Sequence, residues 1–90
     1  MNNDRRKEID RLMVRVNSLL ADLSEIKDSI ENVRSEEQEY LDNLPENMQE
    51  SERAEKAQAA IDALDEALSS LDDSETSLEE ISTNLETAKE

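Results

Sequence analysis

Residues 64–86 read LDEALSSLDDSETSLEEISTNLE, and in them a leucine followed by two acidic residues recurs every seven positions. The complete copies begin at Leu64, Leu71 and Leu78, and Leu85 begins a fourth copy that keeps only its first acid. Seven residues make two turns of a helix that is underwound to about 3.5 residues per turn. The stretch therefore predicts a coiled-coil helix with a leucine seam and, beside that seam, an acidic ridge.

The acidic ridge has one charge sign throughout. No lysine or arginine lies between Lys56 and Lys89, and the chain has 25 acidic against 10 basic residues, a net charge of −15. Such a surface repels anionic membranes and nucleic acid, so we expect neither as a direct partner. Because the longest apolar runs are three residues, we also expect no signal peptide or membrane span, and we predict a cytoplasmic protein.

The composition favours a single all-α domain. The 90 residues include no Gly, Cys, His, Trp or Phe, and Tyr40 is the only aromatic residue. A compact globule of this size needs bulky aromatic packing, glycine turns or disulfide bonds, whereas a helical bundle needs none of them.

A second heptad pattern occupies the first half of the chain. Apolar residues spaced three and four apart predict a seam of Ile9, Leu12, Val16, Leu19, Leu23, Ile26, Ile30 and Val33, continued by Tyr40 and Leu44. Met13, Leu20 and Leu41 lie beside this seam. The extra width exceeds what a two-stranded coil needs, so we expect these three residues to form an oligomer face.

Pro45 interrupts the helical pattern, because proline lacks an amide hydrogen and disfavours a helical conformation at Leu44. The second helix begins either directly after Pro45 or one turn later with Ser51 as its cap. The predicted boundaries are a polar tail over residues 1–8 with Asp4 as a candidate N-cap, and one hairpin over 9–88, with helices over about 5–43 and 52–88 and a turn over 44–51.

The second helix carries its own seam of Ala54, Ala57, Ile61, Leu64, Leu68 and Leu71. Glu75 and Ser82 occupy the next seam positions, which predicts a phase slip near Ser74 towards Ile81 and Ala88. The acidic ridge would then stay straight only up to Ser74.

Two seams of nearly equal length with a short connection predict an antiparallel helical hairpin. In this arrangement we expect basic residues near the N-terminus to approach acids near the C-terminus, namely Arg5, Arg6, Lys7 and Arg11 with Glu79, Glu80 and Glu86. A lone hairpin leaves one side of each helix uncovered. We therefore predict that two hairpins pair into a four-helix bundle, unless a partner protein covers that side.

The residue inventory argues against an enzyme. Without His or Cys the chain lacks an imidazole base, a thiolate nucleophile and a zinc-finger ligand set, and without Gly it lacks a phosphate-binding loop. We expect no catalytic residues, no cofactor and no metal site.

Two functions fit the acidic ridge, which we define as Asp62, Asp65, Glu66, Asp72, Asp73, Glu79 and Glu80. A one-signed helical surface can occupy the basic groove of a nucleic-acid-handling protein, as an inhibitor that mimics DNA would. Alternatively, the acids only solubilise a structural or adaptor coiled coil that binds its partner through apolar residues. In both cases we expect a protein partner and a homo-oligomer.

The corner of the hairpin carries a family resemblance. Residues 36–49, EEQEYLDNLPENMQ, followed by Ser51-Glu52-Arg53 and the heptad arm, resemble short acidic helical-hairpin proteins of bacterial and phage genomes, which are generally uncharacterised. The similarity covers roughly residues 34–86, and its most specific part is YLDNLPE at residues 40–46. The resemblance implies no settled activity, but a phage setting favours a small inhibitor of a host nucleic-acid enzyme.

Overall fold

The computed structural model describes all 90 residues and contains two long α-helices and no strand. Helix α1 spans Asn3–Asp42, a 3-10 turn spans Glu46–Met48, and helix α2 spans Glu52–Lys89. Asp10 lies against Lys89 and Arg34 against Asp65, so the helices run antiparallel. The predicted all-α hairpin is thus confirmed, whereas its pairing into a four-helix bundle stays a prediction. Neither α1 nor α2 contains an apolar stretch that could span a membrane.

The N-terminal end of each helix has an identifiable cap. The Asn2 side chain accepts a hydrogen bond from the Arg5 amide at 2.9 Å, so Asn2 caps α1, and Asp4 lies inside the first turn. The helix therefore already includes residues 3–8 of the predicted polar tail. Ser51 accepts a hydrogen bond from the Ala54 amide at 3.3 Å and caps α2. This agrees with the predicted alternative in which the second helix begins one turn after Pro45.

The connection contains a separate 3-10 turn, so α2 begins at Glu52 and not directly after Pro45. A single 3-10 turn follows the proline at once, and the Met48 amide bonds to the Pro45 carbonyl at 2.8 Å. The Gln49 side chain donates to the carbonyls of Leu41 and Leu44 at 3.3 and 2.7 Å. Gln49 thereby links the connection to the end of α1, where the Leu41 carbonyl also accepts the Leu44 amide at 3.2 Å.

The residues group into two compact units, each built from a segment of both helices. The second unit, Ile26–Ser70, contains three of the four buried residues, Ala54, Ala57 and Ile61. These belong to the seam predicted for the second helix, and that part of the prediction is confirmed. The first unit, Met1–Glu25 with Leu71–Glu90, contains the fourth buried residue, Val16.

The seam predicted for the first helix is wrong at every seventh residue from Leu19 onward. Leu19, Ile26, Val33 and Tyr40 are exposed, with about half of the Leu19 and Val33 surfaces open to solvent (51% and 52%). The residues one position later are half-buried instead, namely Leu20, Lys27, Arg34 and Leu41. Helix α1 therefore uses only one edge of its wide apolar stripe against α2, because a single partner helix cannot cover three heptad positions.

The phase slip predicted near Ser74 is also wrong. Glu75 and Ser82 are half-buried at the seam positions, whereas Ile81 and Ala88 are exposed. The half-buried positions of α2 in the first unit continue at spacings of four and three residues, through Leu71, Glu75, Leu78, Ser82, Leu85 and Lys89. A thin two-helix interface tolerates a glutamate and a serine because their polar ends stay close to water.

Candidate protein-binding surface

All seven residues of the acidic ridge are exposed on α2, but they occupy three different rows of the helix. Asp65, Asp72 and Glu79 each follow a seam leucine directly, which places them beside the contact with α1. Glu66, Asp73 and Glu80 come one residue later and lie on the side of α2 opposite the seam. We call these last three the outer acids. Asp62 lies in a third row.

Asp65 is held by a partner on the other helix. The Arg34 guanidinium forms a bidentate pair with it, Nε bonding to Oδ1 and Nη2 to Oδ2 at 3.3 Å. The hydrogen bond from Arg34 lowers the pKa of Asp65, and the same bond raises the pKa of Arg34. Asp65 therefore joins α1 to α2 within the second unit, and one ridge carboxylate is already neutralised by the chain itself.

The outer acids and Glu79 have no ion pair with any basic residue. Asp62 accepts a hydrogen bond at 2.9 Å from the Gln58 side chain, one turn earlier. Both Thr76 and Thr83 donate their hydroxyls back to helix carbonyls, at 3.1 Å. In the shallow depression that Thr76, Glu79, Glu80, Thr83 and Asn84 line, the carboxylates are thus the groups that can receive a charged partner.

The basic residues of the N-terminus do not pair with the acids predicted for them. Arg11 pairs with Glu8 of its own helix at 2.8 Å, and Arg6 donates to the backbone carbonyls of Lys89 and Glu90 at 2.9 and 3.2 Å. Arg6 thereby stabilises the C-terminal end of α2, whose last carbonyls lack helical partners. Because neither Arg5 nor Lys7 forms an ion pair, the charges of Glu79 and Glu80 stay uncompensated by α1.

In the first unit the ion pair between the helices joins a basic residue of α2 to an acidic residue of α1, which is the reverse of the predicted pairing. Lys89 of α2 bonds to Asp10 of α1 at 2.9 Å and lies 3.6 Å from Glu86. Asp10, through hydrogen bonding and charge, is the main cause that raises the pKa of Lys89. This pair could not be predicted from the distribution of charge, because Asp10 lies in a segment with net positive charge and Lys89 lies in a segment with net negative charge.

The residues predicted as an oligomer face, Met13, Leu20 and Leu41, are half-buried in the hairpin. The large apolar side chains exposed on α1 are different ones, and they are Val14, Leu19, Ile26, Val33 and Tyr40. Four of these recur at seven-residue steps, from Leu19 to Tyr40. The heptad spacing in the sequence identifies this row but predicts it to lie in the seam.

The surface thus offers carboxylates on α2 and apolar side chains on α1. No polar or charged residue is buried, and no group of three or more acidic residues is arranged to hold a metal ion. No family model, curated protein or solved structure matches this chain.

Proposed function

We propose that this protein is a non-enzymatic binding protein whose acidic surface on α2 occupies the basic groove of a nucleic-acid-handling protein. The observation that supports it is the set of exposed carboxylates without a basic neighbour, which comprises Glu66, Asp73, Glu79 and Glu80. A helix surface that serves only solubility usually mixes acids and bases at spacings of three and four residues.

The spacing of the outer acids defines the groove that would fit them. Glu66, Asp73 and Glu80 are seven residues apart, which is about 10 Å along a helix that rises ~1.5 Å per residue. Duplex DNA carries one charge per ~1.7 Å of its axis, a much higher density. The surface therefore suits lysines or arginines that lie two helical turns apart, and it would cover part of a nucleic-acid footprint rather than all of it.

The resemblance to short acidic phage and bacterial proteins adds to this proposal. A protein that displaces nucleic acid from a host enzyme needs charge and a fixed scaffold, and it needs no catalytic group. The bidentate contact of Arg34 with Asp65 contributes to such a scaffold, because it ties α2 to α1 beside the carboxylates.

A charge-reversal experiment tests the proposal. The immobilised chain is incubated with the heparin-binding protein fraction of a bacterial lysate, and the retained proteins are challenged with duplex DNA. The test variant reverses the outer acids, Glu66→Lys, Asp73→Lys and Glu80→Lys. The control makes the same change in net charge on exposed, unpaired acids of α1, Glu25→Lys, Glu31→Lys and Glu39→Lys.

We expect the wild type and the α1 control to retain proteins that duplex DNA and salt release, and the outer-acid variant to lose them. Circular dichroism must show the same helicity in all three chains. Retention that is equal in both variants, or that DNA does not compete, would contradict a nucleic-acid-mimicking surface.

The alternative function, an adaptor coiled coil with a solubilising acidic surface, has one specific observation in its favour. Leu19, Ile26, Val33 and Tyr40 expose a heptad-spaced apolar row on α1. Binding through that row would persist at high salt, would be lost on Val33→Glu and would be unchanged by reversal of the outer acids. These three outcomes together distinguish an adaptor from a nucleic-acid mimic.

A further inference from the structure

We propose that the exposed apolar row of α1 is the contact site for a second copy of the same chain, with the two α1 helices antiparallel. The row, defined as Leu19, Ile26, Val33 and Tyr40, repeats at seven-residue steps and is about half exposed. It differs from the face expected from the sequence, since Met13, Leu20 and Leu41 are half-buried in the hairpin.

The distribution of charged residues on α1 is the first reason. Lys27, Arg34 and Glu37 are half-buried in the second unit, whereas Ile26 and Val33 stay exposed in the same turns. A helix that needed only one partner would have its apolar residues on the covered side and its charges outside. In the second unit charged side chains take up part of the covered side while Ile26 and Val33 lie outside it, so a second helix is needed to cover these two residues.

The exposed area is the second reason. The chain exposes 6601 Å², whereas a compact monomer of 10.3 kDa exposes about 5,400 Å². The excess is on the order of 1,200 Å² per chain. A stable homodimer buries about 800 Å² or more on each partner, so the excess is large enough to supply the area that contact with one second copy needs.

Charge complementarity indicates that the partner is a second copy of the chain and that the two α1 helices run antiparallel. Arg15 and Glu36 occupy the same heptad position, beside the apolar row and away from the seam, and both are exposed and unpaired. When two α1 helices meet antiparallel with Ile26 near the two-fold axis, Leu19 faces Val33, and Arg15 faces Glu36 of the other copy. A parallel two-fold contact would instead put the two Arg15 side chains on opposite sides of the interface, where neither meets Glu36 of the other copy. The row is therefore self-complementary in the antiparallel direction, as a two-fold contact requires.

The net charge of the chain predicts how this contact responds to salt. Each copy carries a net charge of −15, so two copies repel at long range, and salt at about 0.5 M screens that repulsion. Self-association should therefore strengthen with salt, whereas binding of a basic partner to the outer acids should weaken. The inference does not rest on the proposed function, because changes in the apolar row leave the acids of α2 intact.

Sedimentation equilibrium of the full chain tests the contact at about 0.05 M and 0.5 M salt. The test variant is Ile26→Glu with Val33→Glu, and the control places the same charges on the exposed polar side of α1, as Ser18→Glu with Asn32→Glu. We expect the wild type and the control to have twice the mass of one chain, and we expect the dimeric fraction to be larger at high salt. The test variant should have the mass of one chain and retain its helicity.

A charge exchange tests the direction. Arg15→Glu alone should raise the dimer dissociation constant about tenfold, because each two-fold contact contains the pair twice and gains a repulsion. Adding Glu36→Arg should restore the constant to within about threefold. A wild type that is monomeric at high salt, a test variant that still dimerises, or an exchange that restores nothing would each overturn the proposal. The proposal would also be overturned if the chain were monomeric and bound only a different protein through the apolar row.

Discussion

Ile61 is the only large side chain of the hairpin that is completely buried, with 1% of its surface exposed. Ile81 lies on the same helix and has 46% of its surface exposed. The two isoleucines therefore allow one substitution to be made at two levels of burial. We predict that Ile61→Ala destabilises the fold markedly and that Ile81→Ala destabilises it slightly.

The expected magnitudes follow from burial. The change removes three carbon groups at about 0.8 kcal/mol each when fully buried, or ~2.4 kcal/mol at Ile61, and a residual cavity raises the loss to about 3 kcal/mol. At Ile81 roughly half of that transfer energy is lost and no cavity forms, which leaves ~1.2 kcal/mol. Alanine is the better helix former by a few tenths of a kcal/mol at both positions, so this gain cancels in the comparison.

Urea unfolding followed by circular dichroism measures the difference. With a denaturant slope of about 1 kcal/mol per molar, the midpoint of the Ile61 variant should lie ~2 M below that of the Ile81 variant. Chain concentration is held constant, because self-association would shift both midpoints. Equal midpoints for the two variants would refute the assignment of Ile61 to the centre of the helix contact.

Two further predictions concern single polar side chains. The pKa of Asp65 is lowered in the folded chain by Arg34, so its stabilising effect is present above the unfolded carboxyl pKa of about 3.9 and is lost as pH falls through the lower folded value. The urea midpoint of the wild type should exceed that of Asp65→Asn at pH 7, and the gap should close towards pH 2; a gap independent of pH would contradict the ion pair. Ser51→Ala removes the side-chain oxygen that accepts the Ala54 amide and should cost about 1 kcal/mol, whereas Ser70→Ala, at an exposed position inside α2, should cost no stability in the same assay.

The hairpin and its corner could be predicted because their signals are local. Proline has a fixed effect on the residue before it, and Ser51 is a strong cap wherever a helix begins next to it. The seam of α2 up to Leu71 was predictable for a related reason. Only one row of that segment combines leucine, isoleucine and alanine at coiled-coil spacing, so no second candidate competed with it.

The seam of α1 could not be predicted because two candidates compete there. Val16, Leu23 and Ile30 belong to both candidate seams, and the second row is either that of Leu19 or that of Leu20. The Leu20 row contains Lys27 and Arg34, so the sequence favoured the other one. The structure places this charged row inward because the long stems of lysine and arginine pack while their charged ends reach the edge of a thin interface. At Arg34 that end meets Asp65.

The same register explains why the acids of α2 differ from one another. Once Arg34 lies at the interface, the acid that directly follows Leu64 becomes an interhelical partner, while the next acid, Glu66, still points away from α1. A dimer formed through the apolar row of α1 would leave the outer acids of both copies exposed. It would then present two acidic surfaces to one partner assembly, and the second contact would form at the high effective concentration set by the first. Disruption of the apolar row should therefore weaken retention of a basic partner without removing any of the carboxylates proposed to bind it.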